Sequence, residues 1–236
     1  MAAAIRIGAS GFSYKEWLGH FYPLKLAGPR MLAYYAERLP AVEINYTFRA
    51  MPRRSMLEGW VDKTPSGFRF ALKAPQRITH FAKLRNTDNS LDYFIDTVGA
   101  LGERLGPILF QLPPDMNCDT ALLDAFLQQL AGRVRPAFEF RHRSWFSDEV
   151  FGLLRRHSAA LCIAENEKLA TPIVATAAHA YLRLRMENYD DQGLARWASH
   201  LRELASDAEA IYVFFKHEAA APDLAIRLAQ MIEADA

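Results

Sequence analysis

The sequence predicts an α/β protein folded as a single TIM-type (β/α)8 barrel, and three observations carry that expectation. Eight short β-branched or aromatic runs recur along the chain, segments of helical periodicity lie between most of them, and no Gly/Ser tract or charge block divides residues 1–236, which therefore read as one domain. The runs are Ile5 to Ala9, Ala41 to Asn45, Phe68 to Lys73, Ile108 to Leu112, Pro136 to Arg141, Ala160 to Ala164, Tyr181 to Arg185 and Ile211 to Lys216. Helical periodicity covers Met31 to Leu39, Arg54 to Val61, Leu91 to Leu105, Ala121 to Ala131, Asp148 to His157 and Leu194 to Ala205, and a final helix from Asp223 to Ala234 follows the last strand. The sixth unit is the exception. Its connection, Glu165 to Ala180, carries Pro172 and little periodicity, so its helix is expected to be irregular or missing. A doubly wound open sheet is the competing architecture, but the first strand-to-helix turn lacks the dinucleotide-binding glycine pattern.

Local signals agree with these elements. Ser147-Asp148-Glu149 offers a helix cap followed by acids in the first turn, and Asp119-Thr120 does the same before Ala121. Pro113-Pro114 stops the fourth strand and forces an irregular connection.

Composition narrows the class of protein. With 236 residues, 51% hydrophobic and 23% charged, the chain can bury about three quarters of its unfolded surface, which excludes disorder and fibrous repeats. Cys118 and Cys162 are too few for a disulfide framework, and no apolar stretch approaches the ~20 residues that a membrane span needs. Met1-Ala2-Ala3-Ala4 runs straight into Ile5-Arg6-Ile7 without a basic or apolar leader, so a reduced, cytoplasmic protein that binds no membrane is expected. Lys and Arg (28) balance Asp and Glu (27), which argues against a general polyanion binder but not against charge concentrated inside the fold.

Strand alternation locates that charge. In a barrel, residues i, i+2 and i+4 of a strand share one side of the wall. The apolar residues of each run belong against helices. That leaves Arg6, Gly8 and Ser10, Glu43 and Asn45, Arg69, Ala71 and Lys73, Leu109 and Gln111, Ala137, Glu139 and Arg141, Tyr181, Arg183 and Arg185, and Tyr212, Phe214 and Lys216 pointing inward. The sixth strand alternates too weakly to decide, and Glu165 follows its end. Seven of these inward residues are cations against Glu43 and Glu139, an excess of five, or of four with Glu165. Desolvating an unpaired charge costs several kcal/mol, roughly, even after relaxation, so the excess near the strand C-termini (Lys73, Arg141, Arg185, Lys216) predicts a bound phosphate or carboxylate. The alternative is purely structural: Arg6 and Arg69 open to solvent at the barrel floor, and Glu43 and Glu139 ion-pair with Arg183 or Arg141.

Five motifs, in order, resemble the YecE-like family, domain of unknown function family 72. They are Ile5-Arg6-Ile7-Gly8-Ala9-Ser10-Gly11-Phe12-Ser13-Tyr14 with Trp17 and Phe21-Tyr22-Pro23; Val42-Glu43-Ile44-Asn45 with Thr47-Phe48; Phe70-Ala71-Leu72-Lys73-Ala74-Pro75 with Ile78-Thr79-His80; Leu109-Phe110-Gln111-Leu112-Pro113-Pro114; and Phe138-Glu139-Phe140-Arg141-His142 with Ser144-Trp145-Phe146. The resemblance spans roughly residues 5 to 164 and implies a TIM barrel without assigning a biochemical activity. After the eighth strand, Lys216-His217-Glu218 stands where the family tends to carry an Asn-Asn-Asp-like stretch.

These readings predict an enzyme acting on a small phosphorylated or other anionic substrate at the strand C-termini. Lys73, Arg141, Arg183, Arg185 and Lys216 would hold the anion, Glu43 or Glu139 would move a proton, and Asn45 and Gln111 would orient the substrate. No nucleophile elbow, Walker loop or His-Glu-x-x-His is found, and no motif calls for a cofactor. Two alternatives stand beside this reading. One is a non-catalytic module that grips nucleic acid or a nucleotide-like ligand, stacking it on rim aromatics such as Tyr14, Trp17 and Trp145. The other is a metal-dependent phosphodiester hydrolase resembling endonuclease IV. His142 and His217 are the histidines at strand ends and both follow the outward register, while the surrounding cations oppose a metal. His20 and His80 fall in loops and suggest nothing specific.

Overall fold

Strands with one face against helices and the other against the lumen can hide both faces only by closing on themselves, and this chain does so. The computed structural model describes residues 3–165, 169–216 and 219–234. Eight parallel strands, β1 (Ala4–Ser10), β2 (Ala41–Ile44), β3 (Arg69–Lys73), β4 (Leu105–Gln111), β5 (Pro136–Glu139), β6 (Ala160–Glu165), β7 (His179–Leu184) and β8 (Ala210–Phe215), pair in chain order. The barrel is sealed where Arg6 of β1 lies beside Tyr212 of β8. All eight sequence-predicted strands are present, displaced by a few residues at their ends.

Helices α1 (Met31–Ala36), α2 (Tyr46–Arg49), α3 (Arg54–Val61), α4 (Asp88–Val98), α5 (Thr120–Leu130), α6 (Asp148–Arg156), α7 (Asp191–Ala205) and α8 (Ala221–Ala234) occupy the connections and the end of the chain. The predicted caps are in place. Asp119 accepts a hydrogen bond from the Leu122 amide at 3.0 Å, and Ser147 Oγ accepts one from the Val150 amide at 3.3 Å. α7 starts earlier than its apolar periodicity because its first turn is polar and is started by Asp190, which accepts from the Gly193 amide at 2.7 Å. The helix predicted from Leu91 to Leu105 is broken. α4 gives way to a 3-10 turn, Gly99–Arg104, in which Gly102 takes φ 53°, ψ −131°, a backbone conformation few other residues tolerate. The sixth connection holds no helix among its described residues. There Thr176 closes the barrel wall instead: its hydroxyl accepts from the Leu161 amide and donates to the Ala159 carbonyl, both at 2.7 Å.

Alternation sorts the wall into two apolar clusters. Ile7, Val42, Phe70, Leu72, Ile108, Phe110, Phe138, Ile163, Leu182, Val213 and Phe215 pack outward on the helices. Inside, Ala41, Ala71, Leu109, Ala137, Ala160, Cys162, Ala164, Tyr181, Tyr212 and Phe214 form a separate lumen cluster. It combines small side chains with large ones, the kind of filling a barrel of this size requires. Gly8 makes the closest approach in the wall. A Cβ there would stand 1.9 Å from the Ala41 carbonyl oxygen, which already accepts a 2.9 Å hydrogen bond from the buried Tyr35 hydroxyl. Gly8→Ala is therefore expected to destabilise the protein by about 1–3 kcal/mol or more through strand displacement, read as a lowered urea midpoint.

Candidate functional site

Adjacent strands place the inward polar residues side by side at the C-terminal end of the barrel. Ser10 is level with Glu43, Gln111 with Glu139, and Ala164 with Arg183. Arg183, 1% exposed, spans the lumen between the two carboxylates. Its Nη2 donates to Glu43 Oε1 at 2.8 Å, with Nε 2.8 Å from Oε2, and its Nη1 donates to Glu139 Oε2 at 2.5 Å. Glu43 further accepts from Ser10 Oγ (2.5 Å), Tyr181 OH (2.8 Å) and Asn45 Nδ2 (3.3 Å). Glu139 accepts from Gln111 Nε2 (2.8 Å), Arg141 Nε (3.1 Å) and Arg185 Nη2 (3.0 Å). Burial by itself would raise both carboxyls, but Arg183 and these donors outweigh it and hold each below its usual 4.5. Glu43 and Glu139 are thus fixed anions whose acceptor sites are largely filled.

Lys73 differs from every other charge here. It is 8% exposed, its Nζ lies 3.7 Å from the centre of the Phe48 ring, and no carboxylate pairs with it among the described residues. Burial and the repulsion of Arg183 lower it to about 8, with Glu43 and Glu139 offsetting part of the shift. His80 packs edge-on to the same Phe48 ring at 4.9 Å, and burial, then Lys73 and Arg141, push its imidazole below 6.5. Phe48 and His80 both fall in the motifs read from the sequence, but neither was given a role in the site there. The available signal was their place just after strands β2 and β3, Phe48 in α2 and His80 in the turn that follows β3. The loop carrying His80 is a π-turn, Arg77–Phe81, followed by left-handed Lys83, Leu84 and Asn86. Such geometry persists only where surroundings enforce it. Here Lys83 pairs with Asp115 at 2.7 Å and Arg85 with Asp119 at 2.9 Å, while Leu84 is buried.

Other expected site residues fall elsewhere. Trp17 and Trp145 are fully buried, a correction to their expected role as stacking surfaces. Trp17 packs among Tyr14, Phe21, Tyr22 and Tyr35. Trp145 stacks on Phe140 at 4.7 Å and donates Nε1–H to the Met116 carbonyl at 2.7 Å, so both rings seat loops on the barrel. Tyr14 is half-buried and donates its hydroxyl to the Ser10 carbonyl at 2.8 Å. Lys216 is exposed after β8 and lies outside the buried network. Glu165 accepts from Tyr189 OH (2.5 Å) and Trp197 Nε1 (3.0 Å) and does not offset the lumen cations. Arg6 and Arg69 line the opposite end of the barrel, so the excess of five does not converge on one point. His142 bonds Ser144 Oγ at 2.8 Å, and His217 and Glu218 lie outside the described residues. Among the described residues no group of three or more His, Cys, Asp and Glu side chains is gathered to hold a metal, and no helix is long and apolar enough to cross a membrane.

The family model for "Protein of unknown function DUF72" matches residues 6–236. The chain belongs to the DUF72 family. It is 26% identical to the UPF0759 protein YunF of Bacillus subtilis (strain 168) over 97% of this chain and 94% of that one. It is 31% identical to the UPF0759 protein YecE of Escherichia coli (strain K12), over 61% of this chain and 50% of YecE. A DUF72 crystal structure from Thermotoga maritima superposes with a TM-score of 0.86 at 26% identity, covering 98% of this chain and 99% of that one. D-allulose 3-epimerase from Methylomonas sp., at 16% identity and a TM-score of 0.60 over 99% of both chains, shares the barrel fold alone. DUF72 membership accounts for the five ordered motifs and leaves the chemistry to be argued from the site.

Replacing the shared cation tests the network. Arg183→Met is expected to cost about 3–5 kcal/mol at pH 7, because two buried carboxylates lose their partner. In the wild type both carboxyls have folded pKa values below 4.5, so their contribution to stability is present above that pH and is lost as pH falls through the folded values. In Arg183→Met the carboxyls become easier to protonate, so the gap to wild type should narrow as the solution is acidified, measured by urea unfolding between pH 7 and 4.

Proposed function

We propose that the protein is an enzyme that binds a small anionic compound, a phosphorylated molecule or a carboxylate, at the C-terminal mouth of the barrel. Lys73, Arg141 and Arg185 hold the anion, Asn45 and Gln111 help to orient the substrate, and Glu43 and Glu139 hold the cations in place. Lys73 carries this reading: it is a buried ammonium without a carboxylate partner, brought to about 8 by burial and by Arg183. Arg185 supports it, because its Nε is buried with no hydrogen-bond partner. A group poised near neutral pH at the end of a barrel strand suits proton transfer with a bound substrate. Solved structures that share this barrel fold include an epimerase in complex with D-allulose.

A second reading draws on the rim. Phe81 (74% exposed) shares a surface pocket with Phe48, Arg49 and Arg77, a combination that would suit a nucleotide-like ligand stacked beside these cations.

Titration calorimetry with inorganic phosphate and small carboxylates tests the leading reading. Lys73→Met should weaken binding tenfold or more, and Arg141→Gln should weaken it less. Lys73→Arg keeps the charge but not the mobile proton, so it should retain affinity and lose turnover on a panel of phosphate esters and hydroxy acids by about a hundredfold. Full activity in Lys73→Arg would remove Lys73 from proton transfer. Salt-dependent oligonucleotide affinity without turnover would favour the rim reading. Stability should move the other way from function. The cost of burying the ammonium is complete below about pH 8 and is relieved as pH rises from there towards 10.5, so Lys73→Met should raise Tm at pH 7 and lose that advantage in alkali.

A further inference from the structure

The floor of the barrel, at the N-terminal ends of the strands, carries a second concentration of charge. Arg6 of β1, Arg69 of β3, Arg135 just before β5 and His179 of β7 come from alternate strands and line one cavity of about 260 Å³. Alternate strands of a barrel supply one layer of lumen side chains, so these four form its lowest layer. Among the described residues Glu209 is the only acid in the lining. Among the described residues none of the three arginines ion-pairs, with Glu209 or with any other carboxylate.

Arg6 and Arg69 are half-buried and poorly satisfied by the protein, and Arg135 is exposed at the edge of the cavity. Arg6 Nε is buried with no hydrogen-bond partner. Arg69 finds only the carbonyls of Ser66 (2.9 Å) and Phe68 (3.0 Å). Burial first, then the repulsion of Arg6 and Arg135, lower its pKa, and Tyr212 and Glu103 offset part of this. His179 donates from Nε2 to the Pro136 carbonyl at 3.1 Å, and burial with Arg135 nearby keeps it neutral, its pKa about 4. The acids therefore leave an excess of positive charge around a cavity that opens to solvent. The apolar layer of Ala41, Ala71, Leu109, Ala137, Tyr181 and Tyr212 separates it from Lys73 and Arg183, so one ligand does not span both ends.

We propose that this floor cavity is a binding site for a small tetrahedral oxyanion of the phosphate class, held by the forked donors of Arg6, Arg69 and Arg135. The planar guanidinium fork matches the oxygen spacing of such an anion, and three of them supply the charge that a divalent oxyanion neutralises. A water occupies about 30 Å³ of liquid, so the cavity has room for the anion and several waters. Binding only to the folded chain, the anion stabilises the barrel by mass action.

The test uses the whole chain with inorganic phosphate against chloride at matched ionic strength and pH 7, reading Tm by thermal unfolding and affinity by calorimetry. Phosphate should raise Tm saturably. The double variant Arg69→Gln/Arg135→Gln should weaken floor affinity at least tenfold and, with the mouth silenced by Lys73→Met, should lose the rise altogether, whereas Lys73→Met alone should keep the floor's share of both. Because removing like charges relieves repulsion, the double variant is expected to fold, and its Tm in chloride checks this. A rise that survives when Lys73→Met is combined with the double variant, or no phosphate-dependent rise in Lys73→Met alone, overturns the proposal. Phosphate binding abolished by Lys73→Met but untouched by the double variant overturns it too and leaves the mouth reading standing. The reverse pattern supports the floor site and counts against the mouth.

Discussion

Arg183, held between Glu43 and Glu139, governs the interior of this barrel. One guanidinium from β7 satisfies a carboxylate from β2 and another from β5, tying together strands that are not neighbours. Such a buried triad adds little net stability over an apolar filling, because desolvation offsets most of the Coulomb attraction. Its effect is directional. A planar fork engaged on both sides sets where each carboxylate oxygen points, and Ser10, Tyr181, Asn45 and Gln111 complete the remaining acceptor positions. Since Arg183 takes up most of the negative charge, the outer cations are left with one shared carboxylate, Glu139, and Lys73 with none. The lowered pKa of Lys73 comes first from its burial and then from the repulsion of Arg183, which Glu43 and Glu139 offset only in part.

Charge is also divided along the barrel axis. A formal net charge of +1 conceals two positive regions, one at each end of the lumen, separated by an apolar layer of alanines and tyrosines. In a medium of low dielectric neither region can lean on the acids of the other, so each must be balanced locally or by a solute. At the top the cations converge on loops that can differ from protein to protein, where barrel chemistry resides. The floor belongs to the end that normally serves stability. An oxyanion there would act on the folded state as a whole, not on a reaction.

The β3–α4 connection shows how local backbone strain serves the mouth. A π-turn and left-handed residues lie in a short loop pinned by two ion pairs to Asp115 and Asp119, and the outcome is that His80 and Phe81 are presented at the rim while Leu84 is buried. Propensity alone does not select such a path, and its cost is met by tertiary contacts. Family membership adds the barrel and the ordered motifs. Because one barrel hosts many chemistries, the family's architecture does not carry a substrate with it.

The architecture was legible from residue types alone because strand alternation and helix periodicity are local properties. The eight strands, most of the inward set on seven of them and the lack of a helix among the described residues of the sixth connection follow from patterns a few residues long. Alternation states the side of the wall but neither the height at which a residue sits nor its partner. Arg6 and Lys73 therefore looked alike in the sequence, though they line opposite ends. The pairing of Arg183 with Glu43 joins residues 140 apart, and the burial of Trp17 and Trp145 depends on rings contributed by other segments. Those distances and burials, which decide which cations stay unpaired and at what pH they titrate, exist only once the chain has closed.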